Sequence, residues 1–149
     1  MSKEDKIILI SKLRKSDLDA YADIIGKELG LTHKKAKKSL SKIGLRNMLK
    51  AEIDGKPVGF INFSINNGLY LNDIDVAQRY RNRGVGSMLL ATVEKRAREL
   101  GEKRIWLHVN IKNKKAIQFY FKNNYKIKER IKDYYKKGID AFVLEKLLR

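Results

Sequence analysis

The alternation of apolar and polar residues predicts a chain in which strands and helices follow one another. Short runs rich in apolar and β-branched residues are typical of strands, and they occur at 6–13, 48–53, 58–65, 69–76, 104–109, 125–131 and 141–147. Apolar residues spaced three and four apart are typical of amphipathic helices, and they occur at 17–29, 33–47, 84–100 and 114–122. The aromatic segment 132–140 is expected to be a loop or an extension of the preceding strand.

Residues that favour helix ends and turns support these boundaries. Serine, threonine and asparagine are common N-caps, whereas glycine and asparagine favour the left-handed conformation that ends a helix. The expected caps are Ser16, Thr32 and Asn113, and the expected ends are Gly30 and Asn123 or Asn124. Asp54-Gly-Lys-Pro57 and Asn66-Asn-Gly68 are hairpin signals, so residues 48–76 are expected to form an antiparallel meander of three strands.

The connection through residues 69–109 favours a parallel strand pair, since a helix separates two predicted strands. We therefore expect an α/β fold with a mixed, mainly antiparallel sheet of six or seven strands and about four helices on both faces. At 149 residues the chain is long enough for one domain with its own core, and a single domain over 1–149 is expected.

Composition narrows the chemistry. The net charge of +17 favours anionic partners such as nucleic acid, phosphate-bearing ligands or acidic protein surfaces. The lysines are scattered along the chain, so a solubility role with no specific partner stays open. The absence of cysteine excludes thiolate metal sites. With two histidines a multi-histidine site is not expected either, so no metal is expected.

No apolar run approaches the ~20 residues of a membrane-spanning helix. The first six residues are mostly charged, and the apolar run 7–10 is too short for a signal-peptide core. A cytoplasmic protein without membrane contact is therefore expected.

Residues 73–90 suit a phosphate ligand, because a strand is followed by a basic turn with two glycines and then by a helix. The first turn of a helix offers free N–H groups and a partial positive charge. Glycines at 84 and 86 let a phosphate approach the backbone. The pattern is neither a P-loop nor a dinucleotide fingerprint. An ordinary helix start in a basic protein is the alternative.

Arg81-x-x-Gly84-x-Gly86, after a strand that ends at Val76, closely resembles the acetyl-CoA signature of the GNAT N-acetyltransferase superfamily. The resemblance implies acetyl-CoA as co-substrate and Ile74 and Val76 beside its pantetheine arm. It implies that the pyrophosphate is bound by Arg81, Asn82, Arg83, Gly84, Val85, Gly86 and Ser87.

A second motif, Asn113-x-x-Ala116-Ile-x-Phe119-Tyr120, matches the other GNAT region, and the resemblance covers residues 49–147. It implies that Asn113 hydrogen-bonds pantetheine and that Tyr120 protonates the CoA thiolate. A plain helix cap and a core aromatic are the alternatives. Asn124 stands where the family usually has glycine, which is expected to alter only a helix end.

Leu107-His-Val, with Tyr134-Tyr135 and Asp140-Ala141, is similar to protein N-terminal acetyltransferases of the NatE and ribosomal-protein types. The resemblance implies that Tyr70 and His108 act on the substrate amine through water, and that Tyr134 and Tyr135 hold the peptide backbone. The Phe-Pro-x-x-Tyr substrate loop of the NatE type is missing. Residues 29–35 read Leu-Gly-Leu-Thr-His-Lys-Lys instead, which leaves the acceptor amine open.

Acetyl transfer to an amine requires a base, and histidine suits this role because its ordinary pKa is near 6.5. His108 is therefore the first candidate, Tyr70 the second, and Asp73 and Asp75 are alternative carboxylates. Each could instead be a packing or surface residue.

These patterns predict an acetyl-CoA-dependent N-acetyltransferase that acts directly on a protein N-terminal α-amine. A lysine, polyamine or small-amine acetyltransferase is the alternative. A basic nucleic-acid-associated binding protein is the third possibility.

Overall fold

The computed structural model describes residues 6–43 and 47–149, which contain seven strands and four α-helices. The strands are β1 Ile8–Lys12, β2 Met48–Ile53, β3 Lys56–Ile65, β4 Leu69–Val76, β5 Arg104–Asn110, β6 Lys126–Lys136 and β7 Ile139–Leu147. The helices are α1 Leu18–Leu29, α2 His33–Ile43, α3 Val85–Glu99 and α4 Lys114–Lys122. Residues 44–46, within the predicted second helix, lie outside the described residues.

The strands form a seven-stranded sheet in the order β1-β2-β3-β4-β5-β7-β6. The pairs β1–β2, β2–β3, β5–β7 and β6–β7 are antiparallel. The pair β4–β5 is parallel, with Leu69 opposite Ile105 and Tyr70 opposite Trp106. The expected mixed, mainly antiparallel sheet and its parallel pair are therefore confirmed.

The chain is organised in two compact units. The first comprises the described residues of Met1–Phe63 together with Asn72–Val93, and the second comprises Ser64–Leu71 and Glu94–Arg149. The single domain over residues 1–149 stays a prediction. No helix among the described residues is long and apolar enough to cross a bilayer.

In the first unit, α1 and α2 pack against β2 and β3 through a cluster of buried apolar side chains. Its members are Leu13, Leu18, Tyr21, Ala22, Ile25, Ala36, Leu40, Met48 and Phe60. The Tyr21 hydroxyl donates a hydrogen bond to the carbonyl oxygen of Ala51 at 3.2 Å. The helical spacing of Leu18, Ala22 and Ile25 therefore fixes which face of α1 is buried.

The predicted Ser16 cap is wrong, because a short 3₁₀ turn, Lys15–Asp17, precedes α1. The Asp17 carboxylate accepts the Arg14 backbone N–H at 2.7 Å and also accepts Lys50 Nζ at 2.9 Å. Lys50 is only 7% exposed and pairs with Glu52 as well, at 2.8 Å. The residue immediately before α1 is therefore Asp17 and not Ser16, and its carboxylate pairs with a buried lysine on β2.

The caps expected at Thr32 and Asn113 and the ends expected at Gly30 and Asn124 are confirmed, whereas Asn47, where the second helix was expected to end, lies in a turn. Gly30 is left-handed, with φ of 65°, and Thr32 Oγ1 accepts the Lys35 N–H at 3.2 Å. Asn113 Oδ1 accepts the Ala116 N–H at 3.2 Å, and Asn124 takes the left-handed position after α4, with φ of 70°.

In the second unit, β5 alternates buried and half-buried residues. Ile105, Leu107 and Val109 are buried, whereas Arg104, Trp106, His108 and Asn110 are half-buried. The segment 132–136 continues β6, so the strand extension, not the loop, is correct. Both features place polar and aromatic side chains together on the sheet.

Candidate active site

The loop before α3 turns sharply in the first unit. Asn82 and Gly84 are left-handed, with φ of 61° and 82°. A Cβ at Gly84 would meet no atom within 4 Å, so the conformation, not crowding, favours glycine there. The first turn of α3 contains no acidic residue. Its positive end is therefore free of a competing carboxylate from the helix itself.

Three arginines surround this loop. Arg81 Nε donates to the Val76 carbonyl oxygen at 3.0 Å, which ties the loop to the end of β4. The guanidinium carbons of Arg79 and Arg83 lie 5.4 Å and 5.7 Å from the centre of the Tyr80 ring. Arg81 and Arg83 are exposed. The loop thus combines left-handed turns, positive charge and a helix N-terminus, a set that fits a pyrophosphate.

A cavity of about 390 Å³ adjoins the same loop within the first unit. It is lined by Asp23, Ile24, Lys27, Ala77, Gln78, Arg79 and Arg81. Cationic side chains outnumber the single carboxylate, so this cavity also favours an anionic group.

The second half of β4, the strand expected to lie beside pantetheine, carries two carboxylates. Ile74, Asp75 and Val76 are half-buried, and Asp73 is exposed. Burial raises the pKa of Asp75 to about 7, and the neighbouring Asp73 carboxylate adds to the effect. Desolvation by the surrounding protein also raises the pKa of Asp73, although the surface of this residue is exposed. Asp75 is therefore a second group that can exchange a proton near neutral pH.

The second unit brings together five aromatic side chains, which we call the aromatic cluster: Tyr70, Trp106, His108, Tyr134 and Tyr135. They come from β4, β5 and β6. The ring centres of Tyr70 and Trp106 are 4.7 Å apart, and those of Trp106 and His108 are 5.5 Å apart. The Tyr134 ring stacks on His108 at 4.3 Å and 7°. Tyr134 and Tyr135 meet edge to face at 4.9 Å.

A hydrogen bond joins the two expected catalytic residues of the cluster. The Tyr70 hydroxyl lies 2.8 Å from His108 Nδ1. Burial, with the nearby Tyr134 and Tyr135 phenols, raises the pKa of Tyr70 to about 12. Burial lowers the pKa of His108, although the Glu129 carboxylate opposes this effect. The lowered pKa keeps His108 mostly neutral near pH 7. In the tautomer that carries its proton on Nε2, Nδ1 accepts the hydrogen bond that the Tyr70 hydroxyl donates.

The tyrosine pair lies on an irregular part of β6. The pairing of β6 with β7 shifts between Ile131 and Lys136, and Asp133 is left-handed, with φ of 55°. Asp140 accepts hydrogen bonds from the Asp133 N–H at 2.9 Å and from Arg130 Nε at 2.8 Å. These bonds lower the pKa of Asp140, so its carboxylate holds the irregular segment that presents Tyr134 and Tyr135.

Tyr120 and Asn113 lie on and before α4. Tyr120 is 7% exposed, and its ring contacts Phe119 at 5.2 Å and Tyr125 at 5.5 Å between centres. Asn113 is exposed and caps the helix. The packing and capping alternatives therefore both exist in the structure, and both are compatible with the expected roles.

The α1–α2 connection, where the substrate loop of the NatE type is missing, is held by ion pairs. His33 Nδ1 lies 2.6 Å from Asp23 Oδ1, and its Nε2 lies 3.1 Å from Asp19 Oδ1. Lys37 Nζ pairs with the same Asp19 at 2.8 Å. The Asp23 and Asp19 carboxylates raise the pKa of His33. Part of the basic start of α2 is thus neutralised by α1.

Tyr70, His108, Tyr134 and Tyr135 are brought together as the sequence implied, but Trp106 was not anticipated. It contacts both Tyr70 and His108. The alternation Arg104-Ile-Trp106-Leu-His108 was the available signal, because it places Trp106 and His108 on one side of a strand.

The Acetyltransferase (GNAT) family profile matches residues 18–125. The chain therefore belongs to this family of acetyltransferases.

Three relatives illustrate the similarity. N-alpha-acetyltransferase 50 of Danio rerio is 39% identical over 84 residues, which cover 54% of this chain and 50% of that protein. The structure of Ard1 from Thermoplasma volcanium has a TM-score of 0.81 at 23% identity and covers 95% of this chain and 98% of its own. A putative streptothricin acetyltransferase from Bacillus anthracis, solved in complex with acetyl coenzyme A, has a TM-score of 0.66 at 27% identity over 68% of this chain and 62% of its own. The chain spans about half to two thirds of the length of five curated relatives it matches, from 46% to 65%.

Proposed function

We propose that the protein transfers acetyl from acetyl-CoA to a protein N-terminal α-amine. The observation that carries this proposal is the Tyr70–His108 hydrogen bond of 2.8 Å beneath the stacked ring of Tyr134. A proton acceptor then lies beside an aromatic side chain that is suited to a peptide. The N-terminal acetyltransferases among the relatives support the same reaction class.

The proton chemistry follows from the two side chains. An α-amine has an ordinary pKa near 8, so most of it is protonated at neutral pH and it must lose a proton before attack. His108 is neutral and accepts that proton at Nδ1 by relay, because the Tyr70 hydroxyl passes its own proton to Nδ1 as it takes one from the amine or from an intervening water. Tyr70 keeps its own proton at this pH, because burial raises its pKa to about 12.

Acetyl-CoA supplies an activated acetyl thioester. In this proposal the backbone and arginines of residues 81–87 hold its pyrophosphate, while Ile74 and Val76 flank pantetheine with Asn113. The left-handed turn at Gly84, with φ of 82°, and the positive end of α3 support the first role. Tyr120 donates its hydroxyl proton to the departing thiolate.

The proposal is tested by acetyl-CoA consumption with N-terminal peptides, internal-lysine peptides and polyamines. Arg81→Glu and His108→Ala are compared with Arg96→Glu, whose side chain is exposed on α3 and pairs only with Glu99 at 3.6 Å among the described contacts. We expect turnover confined to free N-termini, strongly reduced in the first two variants and retained in the third. Absence of turnover on every amine with saturating acetyl-CoA would contradict the catalytic proposal.

A second candidate is a lysine, polyamine or small-amine acetyltransferase. It is favoured by the α1–α2 connection, where His33 pairs with Asp19 and Asp23 and the NatE substrate loop is missing. Tyr134→Ala separates the two candidates. A peptide enzyme loses its affinity for the peptide, whereas a small-amine enzyme is indifferent to the change.

A further inference from the structure

Trp106 occupies the position on β5 between Arg104 and His108. All three are half-buried and alternate with the buried Ile105 and Leu107, so their side chains lie on the same side of the strand. The Trp106 ring centre is 4.7 Å from that of Tyr70 and 5.5 Å from that of His108. The indole thus contacts both ends of the Tyr70–His108 hydrogen bond.

Trp106 is itself held in place from two directions. Its Nε1–H donates to the Asn66 carbonyl oxygen at 2.8 Å. The Arg104 guanidinium lies 4.8 Å from the centre of its ring, a cation–π distance. Arg104 Nε also donates to the Asn67 carbonyl oxygen at 2.8 Å, and its Nη1 bonds to Glu145 at 3.1 Å. Neighbouring side chains on β5 therefore hold two consecutive carbonyls of one turn.

That turn leads directly into Tyr70. The Asn66 N–H donates to the Gly68 carbonyl at 2.9 Å, and Gly68 has a φ of 112°. A Cβ at Gly68 would lie 2.9 Å from the Arg104 carbonyl oxygen, so turn and strand are in close contact. In the parallel pair of β4 and β5, Leu69 lies opposite Ile105 and Tyr70 opposite Trp106. The attachment of the turn thus contributes directly to the position of Tyr70.

We infer that Trp106, held by Arg104 and the Asn66 carbonyl, is a positioning residue that keeps Tyr70 hydrogen-bonded to His108 for amine deprotonation. This inference rests on the proposed function. Trp106 acts through the two residues it contacts, because its indole N–H is used by the turn. Its loss frees the turn, lets the Tyr70 ring move and exposes His108 to water, and small displacements of reacting groups reduce turnover strongly.

The activity test uses Trp106→Phe, which keeps an aromatic ring and removes only the indole N–H and the larger ring. Arg104→Lys is the second variant, because it keeps the charge and loses the planar guanidinium. Arg96→Lys is the matched control, because the Arg96 side chain is exposed on α3. For both test variants we expect kcat to fall about 10-fold with the KM for acetyl-CoA unchanged, since the residues of the phosphate loop are untouched.

A readout independent of turnover is available because the chain contains one tryptophan. A protonated imidazole quenches a neighbouring indole, so Trp106 fluorescence against pH reports the protonation of His108, with His108→Ala as the blank. Besides Tyr70, the groups facing His108 are Tyr134 and Glu129, both on β6. In Arg104→Lys we expect the midpoint to rise towards the ordinary histidine value, because loosening admits water. NMR titration of His108 gives the same measurement for Trp106→Phe.

The outcomes separate this inference from the proposed function. Unchanged kcat and unchanged His108 titration in both variants would refute the positioning role even if the native protein is fully active. If the variants shift the titration of His108 although the native protein acetylates no amine, the positioning role is retained and the proposed function is rejected. Reduced kcat with an unshifted titration would assign the loss to another cause and would also overturn the inference.

Discussion

At the scale of single residues, the identity of the catalytic base depends on how burial shifts the pKa values of two hydrogen-bonded aromatic side chains, Tyr70 and His108. Burial raises the pKa of Tyr70 to about 12 and lowers that of His108, so near neutral pH their hydrogen bond joins an un-ionised phenol to a mostly neutral imidazole. Burial also raises the pKa of Asp75 to about 7, which makes that carboxylate the competing base. Since the two bases titrate in different pH ranges, pH distinguishes them.

The pH dependence of kcat identifies the base. If His108 accepts the proton, activity is present above its pKa and is lost as pH falls through it, in a limb below pH 6.5, because burial lowers this pKa from its ordinary value. His108→Ala is expected to lower kcat about 10²-fold and remove the limb. The measurement is kcat from pH 5 to 9 on one peptide. A limb near pH 7 that persists in His108→Ala and disappears in Asp75→Asn would assign the base to Asp75.

Two buried tyrosine hydroxyls, those of Tyr21 and Tyr125, differ in whether they have a hydrogen-bond partner among the described residues. Tyr21 donates to the Ala51 carbonyl at 3.2 Å. The Tyr125 hydroxyl has no hydrogen-bond partner among the described residues, although this side chain is only 2% exposed. An unsatisfied buried hydroxyl costs stability, whereas a satisfied one contributes modestly. The same substitution should therefore have opposite effects at the two positions.

Tyr125→Phe is expected to raise the free energy of unfolding by about 1 kcal/mol, because it removes a polar group that folding desolvates without compensation. Tyr21→Phe, the matched control, is expected to lower it by about 1 kcal/mol. Urea denaturation of both variants measures the effects. Destabilisation by Tyr125→Phe would mean that an ordered water satisfies this hydroxyl.

At the scale of secondary structure, local patterns predicted most of the sheet, whereas long-range contacts decided the exceptions. The start of α3, the cap at Asn113 and the turn before β4 follow from nearby residues. The prediction of a Ser16 cap was wrong because Asp17, which pairs with Lys50 on β2, takes that position before α1. The extension of β6 to Lys136 depends on pairing with β7 across the turn, and Asp140 supports it through Asp133 and Arg130. Such contacts lie beyond the reach of periodicity.

In the candidate site, too, some features follow from local sequence motifs and others depend on long-range contacts. Its motifs identified the aromatic residues one by one, through resemblance, and the neighbouring strands brought four of them together. The role of Trp106 depends on its contact with Asn66, forty positions away along the chain. Neither composition nor alternation specifies that bond.

The turn before β4 provides a stability test at the element scale. Gly68→Ala is expected to lower the free energy of unfolding by about 2–3 kcal/mol, since φ is 112° and a Cβ would lie 2.9 Å from the Arg104 carbonyl oxygen. Gly101→Ala, the control, has φ of 77° and no atom within 4 Å of the added carbon, so about 1 kcal/mol is expected. Urea denaturation measures both variants, and equal losses would mean that the turn relaxes away from β5.

At the scale of the whole molecule, the chain carries a net charge of +17, and we propose that it binds a polyanionic co-substrate. Long-range attraction speeds the encounter of opposite charges and weakens as salt screens it, with a Debye length of about 10 Å at 0.1 M. Exposed lysines on α2 contribute charge without belonging to the phosphate loop. Three of them are Lys34, Lys35 and Lys38. They therefore allow the effect of charge to be separated from that of contact.

We expect kcat/KM for acetyl-CoA to fall several-fold between 0.05 and 0.5 M KCl while kcat stays constant, because salt screens encounter and not the chemical step. The variant Lys34→Glu/Lys35→Glu/Lys38→Glu changes the charge by two per substitution, so it carries +11 instead of +17. Its kcat/KM should start lower and depend less on salt, with kcat retained. Initial rates over the salt series measure both. An unchanged salt dependence in the variant would mean that the arginines of the loop, and not the lysines of α2, attract acetyl-CoA.

Salt-sensitive binding of nucleic acid that acetyl-CoA does not affect would instead assign the surplus charge to a nucleic-acid partner, since phosphate contacts made elsewhere on the surface are independent of the cofactor.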